Sequence, residues 1–259
     1  MRRLIILLAL ALLLAAVYTL NRLTANWHYI IPVEPGQVAY IAAFDGFVDD
    51  WQLYEGVLSA QIAPEGFLRL EAASPNSGPF SAARPYFADF DLRVEAKPVQ
   101  GPLDNAYGVI FRLEDNGNAT LADDSYYWFF ISSDGYYQVM RVLNGVRKRL
   151  SDWIPSPAIR PGLGVTNWLR VVAVGGTFRF YINNQPAPLC VPDDPAGEST
   201  FTALGECVGG QMVDTLDDDS ISSGKVGLII HAFDKRADEP GVMVDFDNLV
   251  ILGPENETE

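Results

Sequence analysis

Tyr107-Gly-Val-Ile-Phe-Arg-Leu-Glu114, Ser125-Tyr-Tyr-Trp-Phe-Phe-Ile-Ser132 and Tyr136-Tyr-Gln-Val-Met-Arg-Val-Leu143 are three runs dense in β-branched and aromatic residues. Ser133-Asp-Gly135 leads into the third run and Asn144-Gly145 leads out of it. Asp-Gly and Asn-Gly between such runs predict tight hairpins, because the central residues of these turns need positive φ. Residues 106–145 therefore read as an antiparallel meander. The second run is apolar from Tyr126 to Ile131, with Tyr126, Trp128 and Phe130 on one face and Tyr127, Phe129 and Ile131 on the other. A strand apolar on both faces needs cover on both, which puts the meander in the middle of a sheet packed against a second sheet.

Outward from the meander, strand-like runs follow one another at residues 38–44, 56–62, 67–72 and 87–96, then at 146–153, 167–174, 177–182, 225–233 and 242–252. In Phe90-Asp-Leu-Arg-Val-Glu-Ala96 the apolar residues alternate with charges, so one face is buried and the other wet. After residue 33 no stretch keeps a 3.6-residue period over three turns. The pattern predicts an all-β fold, a two-sheet antiparallel jelly-roll sandwich over residues 38–253. A spacer at 31–37 precedes it and an acidic tail at 254–259 follows.

The amino-terminal residues pose a separate problem. Met1-Arg-Arg3 leads into residues 4–20, which carry no charge and suit a transmembrane helix. Leu23-Thr-Ala25 is a poor cleavage site, since Leu stands where a small residue is needed, and Trp27, His28 and Tyr29 resemble an aromatic belt at a membrane surface. Residues 1–30 thus read as an uncleaved signal anchor with its amino terminus in the cytoplasm and the domain outside. The alternative is a cleaved signal and a secreted domain.

Net charge is −15, yet residues 1–33 hold three arginines and no acid, so the remainder carries 15 basic and 33 acidic residues, a balance of −18. That excludes nucleic acid and docking on anionic lipid through a basic patch. It fits a solvated surface, a cation or a neutral ligand such as a sugar. One excursion at 185–223 breaks the strand rhythm with Pro186, Pro188, Pro192 and Pro195 and holds the only cysteines, Cys190 and Cys207. In a domain outside the cytoplasm this pair predicts a disulfide contributing about 3 kcal/mol by loop entropy. With no clustered histidine, a zinc site does not fit, and there is no Cys-X-X-Cys pair.

Phe44-Asp-Gly-Phe-Val-Asp-Asp-Trp51, Tyr107–Arg112, Tyr126–Tyr136, Asn167-Trp-Leu-Arg-Val171, Phe180-Tyr-Ile-Asn183, Gly224-Lys-Val-Gly-Leu228 and Phe246-Asp-Asn-Leu249 occur in an order that resembles the concanavalin A-like lectin/glucanase superfamily. The nearest resemblance is to bacterial extracytoplasmic domains of the 3-keto-disaccharide hydrolase and laminin-G kinds. It implies a structural calcium tying the first strand to the last, with Asp247, beside Phe246, and Asp45 as the matching ligands. Calcium takes hard oxygen donors, carboxylates and carbonyls among them. Edge carboxylates meeting solvent are the alternative.

Sugars are held by aromatic faces and planar polar groups. The candidates are Tyr127, Trp128, Tyr136, Tyr137 and Trp153, with Arg112 and Arg141 on neighbouring strands. Only the concave face of a sheet can meet a ligand, and Arg112, charged amid apolar strand residues, either has an interior partner or points into a groove. The β-glucanases of this superfamily carry Glu-X-Asp-X-(X)-Glu on one strand, whereas the corresponding run here, Tyr126–Ile131, has no acid. His231 reads as a structural strand residue. The expected function is a membrane-anchored, extracytoplasmic, lectin-like module that binds carbohydrate or an envelope component without catalysis. A protein–protein assembly role and a sugar hydrolase are the alternatives. Asn118-Ala-Thr120 and Asn256-Glu-Thr258 fit the glycosylation pattern.

Overall fold

The computed structural model describes residues 10, 12–19, 28–46, 48–115, 121–233 and 241–255. Trp27 and the two glycosylation sequons, at 118 and 256, lie outside these residues, as do residues 4–9, 11 and 20 of the predicted span at 4–20 and most of the acidic tail. Residues 12–19 are helical, and no helix among the described residues is long and apolar enough to cross a membrane.

The strands are β1 (Val38–Ala42), β2 (Leu58–Ile62), β3 (Leu68–Ala72), β4 (Phe80–Phe87), β5 (Phe90–Gln100), β6 (Ala106–Glu114), β7 (Ser125–Ile131), β8 (Tyr136–Leu143), β9 (Val146–Pro155), β10 (Asn167–Val174) and β11 (Thr177–Ile182). The excursion adds β12 (Gln185–Pro186), β13 (Leu189–Pro192), β14 (Thr200–Phe201), β15 (Cys207–Val208), β16 (Gly210–Val213) and β17 (Leu216–Asp217) before β18 (Gly224–His231) and β19 (Val242–Leu252). They form an all-β sandwich of two antiparallel sheets. The first sheet runs β12-β11-β10-β5-β19-β3-β2, with β1 against β19 and β17 against β11. The second runs β4-β18-β6-β7-β8-β9, so the meander holds its predicted interior position.

The space between the sheets is filled by the inward set of each strand. Phe90, Leu92, Val94 and Ala96 of β5 are wholly buried, as the alternation predicts. Opposite them, Tyr107, Val109 and Phe111 of β6 and Tyr127, Phe129 and Ile131 of β7 point inward. Phe111 stacks on Tyr127 at 5.2 Å and Phe129 lies 4.9 Å from Phe180 across the gap. The other face of the six-stranded sheet carries a second apolar layer of Phe80, Ile110, Tyr126, Trp128, Phe130, Val142 and Ile229. Both faces of β7 are thus covered, but only one by a sheet. Against the other pack Leu121, Met140, Trp153 and Phe233.

Sequence and structure differ in three places. β4 is not among the runs read as strands from the sequence, and it contains Pro85. It is the terminal strand of its sheet, and Pro85 falls where the register with β18 shifts between Lys225 and Gly227, so no ladder hydrogen bond is lost. The excursion, irregular in sequence, folds into two small hairpins, β13–β16 and β14–β15, joined by the Cys190–Cys207 disulfide. The spacer is docked: the Ile31 amide donates to the Tyr86 carbonyl, Gly36 to Gly253, and His28 stacks on Tyr86 at 4.0 Å.

Candidate functional site

The alternation of β7 divides the predicted sugar-contacting residues. Tyr127 points inward; its hydroxyl donates to Asp218 Oδ1 at 2.7 Å, and burial followed by that bond raises its pKa. Tyr137 is likewise interior, donating to the Pro188 carbonyl. Arg141, opposite Tyr127, donates to Asp218 at 2.6 Å. Tyr136 stands half-exposed at the start of β8. Of the named aromatics, Trp128 and Trp153 belong to the outer layer of the six-stranded sheet.

Arg112 is interior too, at 1% exposure. It sits at φ 52°, where the β6–β7 register slips between Phe111 and Glu114, and this bulge turns its side chain into the sandwich. There Nη1 donates to the Ile221 carbonyl at 2.7 Å, Nη2 to the carbonyls of Ala88 and Gly175, and the guanidinium lies 4.8 Å from the centroid of the Phe178 ring. Its charge is spent on tying chain turns together, not on a groove.

The outer face holds a cavity of about 240 Å³. Tyr126 and Trp128 of β7, Val142 of β8, Arg147 of β9 and Ile229 and His231 of β18 form its floor and sides; Asn76, Gly78 and residues Leu121 and Ala122 close its rim. Register brings these together: Trp128 lies opposite Ile110 and Met140, and Val142 opposite both Tyr126 and Arg147. Gly145, at φ 77°, is required beside it, since a Cβ there would come within 2.0 Å of the Ala122 carbonyl oxygen.

Aromatic contacts continue around the cavity. Trp128 packs on Phe130 at 4.3 Å and on His231 at 6.1 Å, Phe130 on Trp153 at 5.0 Å, and His231 on Phe233 at 5.0 Å. Burial, and then the nearby charge of Arg147, hold the His231 imidazole below its usual pKa, so it is neutral at pH 7. Trp128 is 4% exposed, yet its Nε1–H has no hydrogen-bond partner. A buried donor without an acceptor costs about 1–3 kcal/mol. Arg147 is exposed and, among the described residues, forms no ion pair or hydrogen bond. Tyr126, Arg147 and His231 were not among the sequence candidates. Tyr126 was legible from alternation with Trp128, whereas Arg147 and His231 needed the cross-strand register.

A larger cavity of about 450 Å³ lies on the nine-stranded sheet, lined by Glu65, Phe67, Arg69, Glu95, Lys97, Asp245 and Asp247 among others. It offers one aromatic ring, and Arg69 is already paired with Asp245 at 2.6 Å. Asp247 adjoins this region. Its carboxyl is pushed up by burial and further by the charge of Asp45, so the two predicted calcium ligands are electrostatic neighbours. No group of three or more His, Cys, Asp or Glu side chains that could hold a metal is gathered among the described residues.

No protein-family model matches the chain, and no curated protein does. Solved structures do. A Bacillus subtilis protein of unknown function with a galectin-like fold is 11% identical, with a TM-score of 0.57 over 86% of this chain and 98% of that one. The Bacillus licheniformis beta-glucanase is 10% identical, with a TM-score of 0.51 over 84% and 99%. Crh5 transglycosylase in complex with NAG is 12% identical, with a TM-score of 0.52 over 86% and 87%. At such identities the likeness is one of fold. These likenesses show that the chain shares the fold of these proteins, a galectin-like β-sandwich.

Proposed function

We propose that this protein is a membrane-anchored carbohydrate-binding module that receives a sugar on the outer face of its six-stranded sheet. The observation that carries the reading is Trp128, a lining residue of an aromatic-walled cavity whose buried Nε1–H has no partner. A sugar hydroxyl supplies the missing acceptor, and the flat rings of Tyr126 and Trp128 suit its C–H surfaces. The fold neighbours include a beta-glucanase and a transglycosylase bound to NAG, which supports a sugar-directed role. Binding without catalysis fits the acid-free run Tyr126–Ile131, which faces the core on one side and the cavity layer on the other.

The anchor rests on residues 4–20. In the helical part of that run, Leu12, Leu13, Leu14, Val17 and Tyr18 are each more than half exposed, an apolar surface on every side that suits lipid. The Cys190–Cys207 disulfide supports a domain held outside the cytoplasm. Calcium bound by Asp45 and Asp247 would neutralise their mutual repulsion.

The test is a glycan array probed with the full chain in detergent micelles, with and without a chelator. Binding to a restricted set of glycans is expected, and silence across the array overturns the reading. A second reading, a contact surface for another protein, is favoured by Leu204, Val208 and Met212, exposed to 86%, 52% and 43% on the disulfide-linked hairpins. Leu204→Asp would then abolish a complex seen by size exclusion while leaving glycan binding intact.

A further inference from the structure

Donors and acceptors in the cavity are unequal. The indole N–H of Trp128 donates only, as does the guanidinium of Arg147, and no carboxylate is among the lining residues. Arg147 belongs to the basic run Arg147-Lys-Arg149 on β9, in a domain that is otherwise strongly acidic. Its two neighbours are engaged: Lys148 donates to the Pro195 carbonyl, and Arg149 pairs with Asp152 and Glu198. Arg147 alone of the three points to the cavity and has no partner among the described residues.

Resting on the sugar-binding reading above, we infer that the ligand is an anionic sugar whose charged group meets Arg147. The planar guanidinium fork matches a carboxylate or a sulfate through two parallel hydrogen bonds. Trp128 Nε1–H donates to a second oxygen, and the rings of Tyr126 and Trp128 hold the sugar body. A volume of about 240 Å³ is below the range of about 300–1,000 Å³ for drug-sized ligands, which suits one ring of a chain. Composition alone fits a solvated surface, a cation or a neutral ligand such as a sugar. The overall negative charge opposes an anion at long range, but at physiological salt charges beyond about 8 Å are screened, so the contact with Arg147 decides.

The test compares three oligosaccharide probes by calorimetry on the full chain in micelles: a glucuronate-containing oligomer, a 6-O-sulfated one and the neutral parent. At least one anionic probe is expected to bind about tenfold or more tighter than the neutral one, and the better of the two identifies the charged group. Arg147→Gln removes that preference; Lys148→Gln, one residue along, leaves the preference intact. Equal affinities for all three probes overturn the inference but not the sugar-binding reading. Equal losses in both variants overturn it as well, since long-range charge then suffices. No binding of any probe, with glycan-array signals absent too, overturns both. If the basic run only protects a terminal strand, Arg147→Gln aggregates and keeps the preference, which also contradicts the inference.

Discussion

Arg112 shows how far a single residue type can be read. A charge within an apolar strand announces either a groove or an interior partner, and nothing local distinguishes the two. The deciding feature is the bulge at φ 52°, set by how β6 meets β7 and β18. With three carbonyls depending on it, Arg112→Met is expected to lower stability by about 3 kcal/mol or more, read from urea unfolding. Asp91 makes a pH prediction. Burial pushes its carboxyl up, but donors from Arg93 and Arg170 outweigh this and leave it below its usual value. A lowered folded-state pKa contributes stability that is fully present above the unfolded value of about 3.9 and is lost as pH falls through the folded one. Asp91→Asn should therefore be less stable at neutral pH and show a flatter acid limb. An acid limb as steep as that of the native protein would contradict the assignment.

The elements divide by the kind of signal they give. β10, β11 and β19 match their predicted bounds, with Gly175-Gly176 between the first two, Asn183-Asn184 after β11, and Gly241 and Gly253 flanking β19. β4 was illegible because Pro85 normally argues against a strand, and only its terminal place in the sheet removes the objection. The excursion was legible as a disulfide loop but not as hairpins, since its strands are two to four residues long and depend on β9 for support. Reducing Cys190–Cys207 is expected to cost about 3 kcal/mol, lowering the melting temperature while far-ultraviolet dichroism of the sandwich persists. The cavity face was half legible: alternation on β7 separates Trp128 from Tyr127, but which set faces outward depends on the partner sheet.

For the molecule as a whole, the fold rests on the distribution of apolar residues across two sheets, a pattern that local sequence expresses well. Ligand chemistry does not, because it arises where loops and strands distant in sequence converge. The Asp45–Asp247 pair tests the cation. Without calcium, Asp247→Asn should raise the melting temperature by relieving repulsion. With calcium in the native chain, the temperature should rise and the variant should lose that increment. An unchanged temperature on adding calcium contradicts the site.

The central claim, that the outer face of the six-stranded sheet binds sugar, is tested most directly by the affinity of Trp128→Phe for a glycan bound by the native chain. This substitution keeps an apolar ring and removes only the unpaired N–H and part of the indole, so lost packing and relief of an unsatisfied donor oppose each other in stability. The account predicts about a tenfold or greater loss of affinity with a nearly unchanged melting temperature. Undiminished affinity, with binding lost instead on Arg69→Ala in the cavity of the opposite sheet, would contradict it.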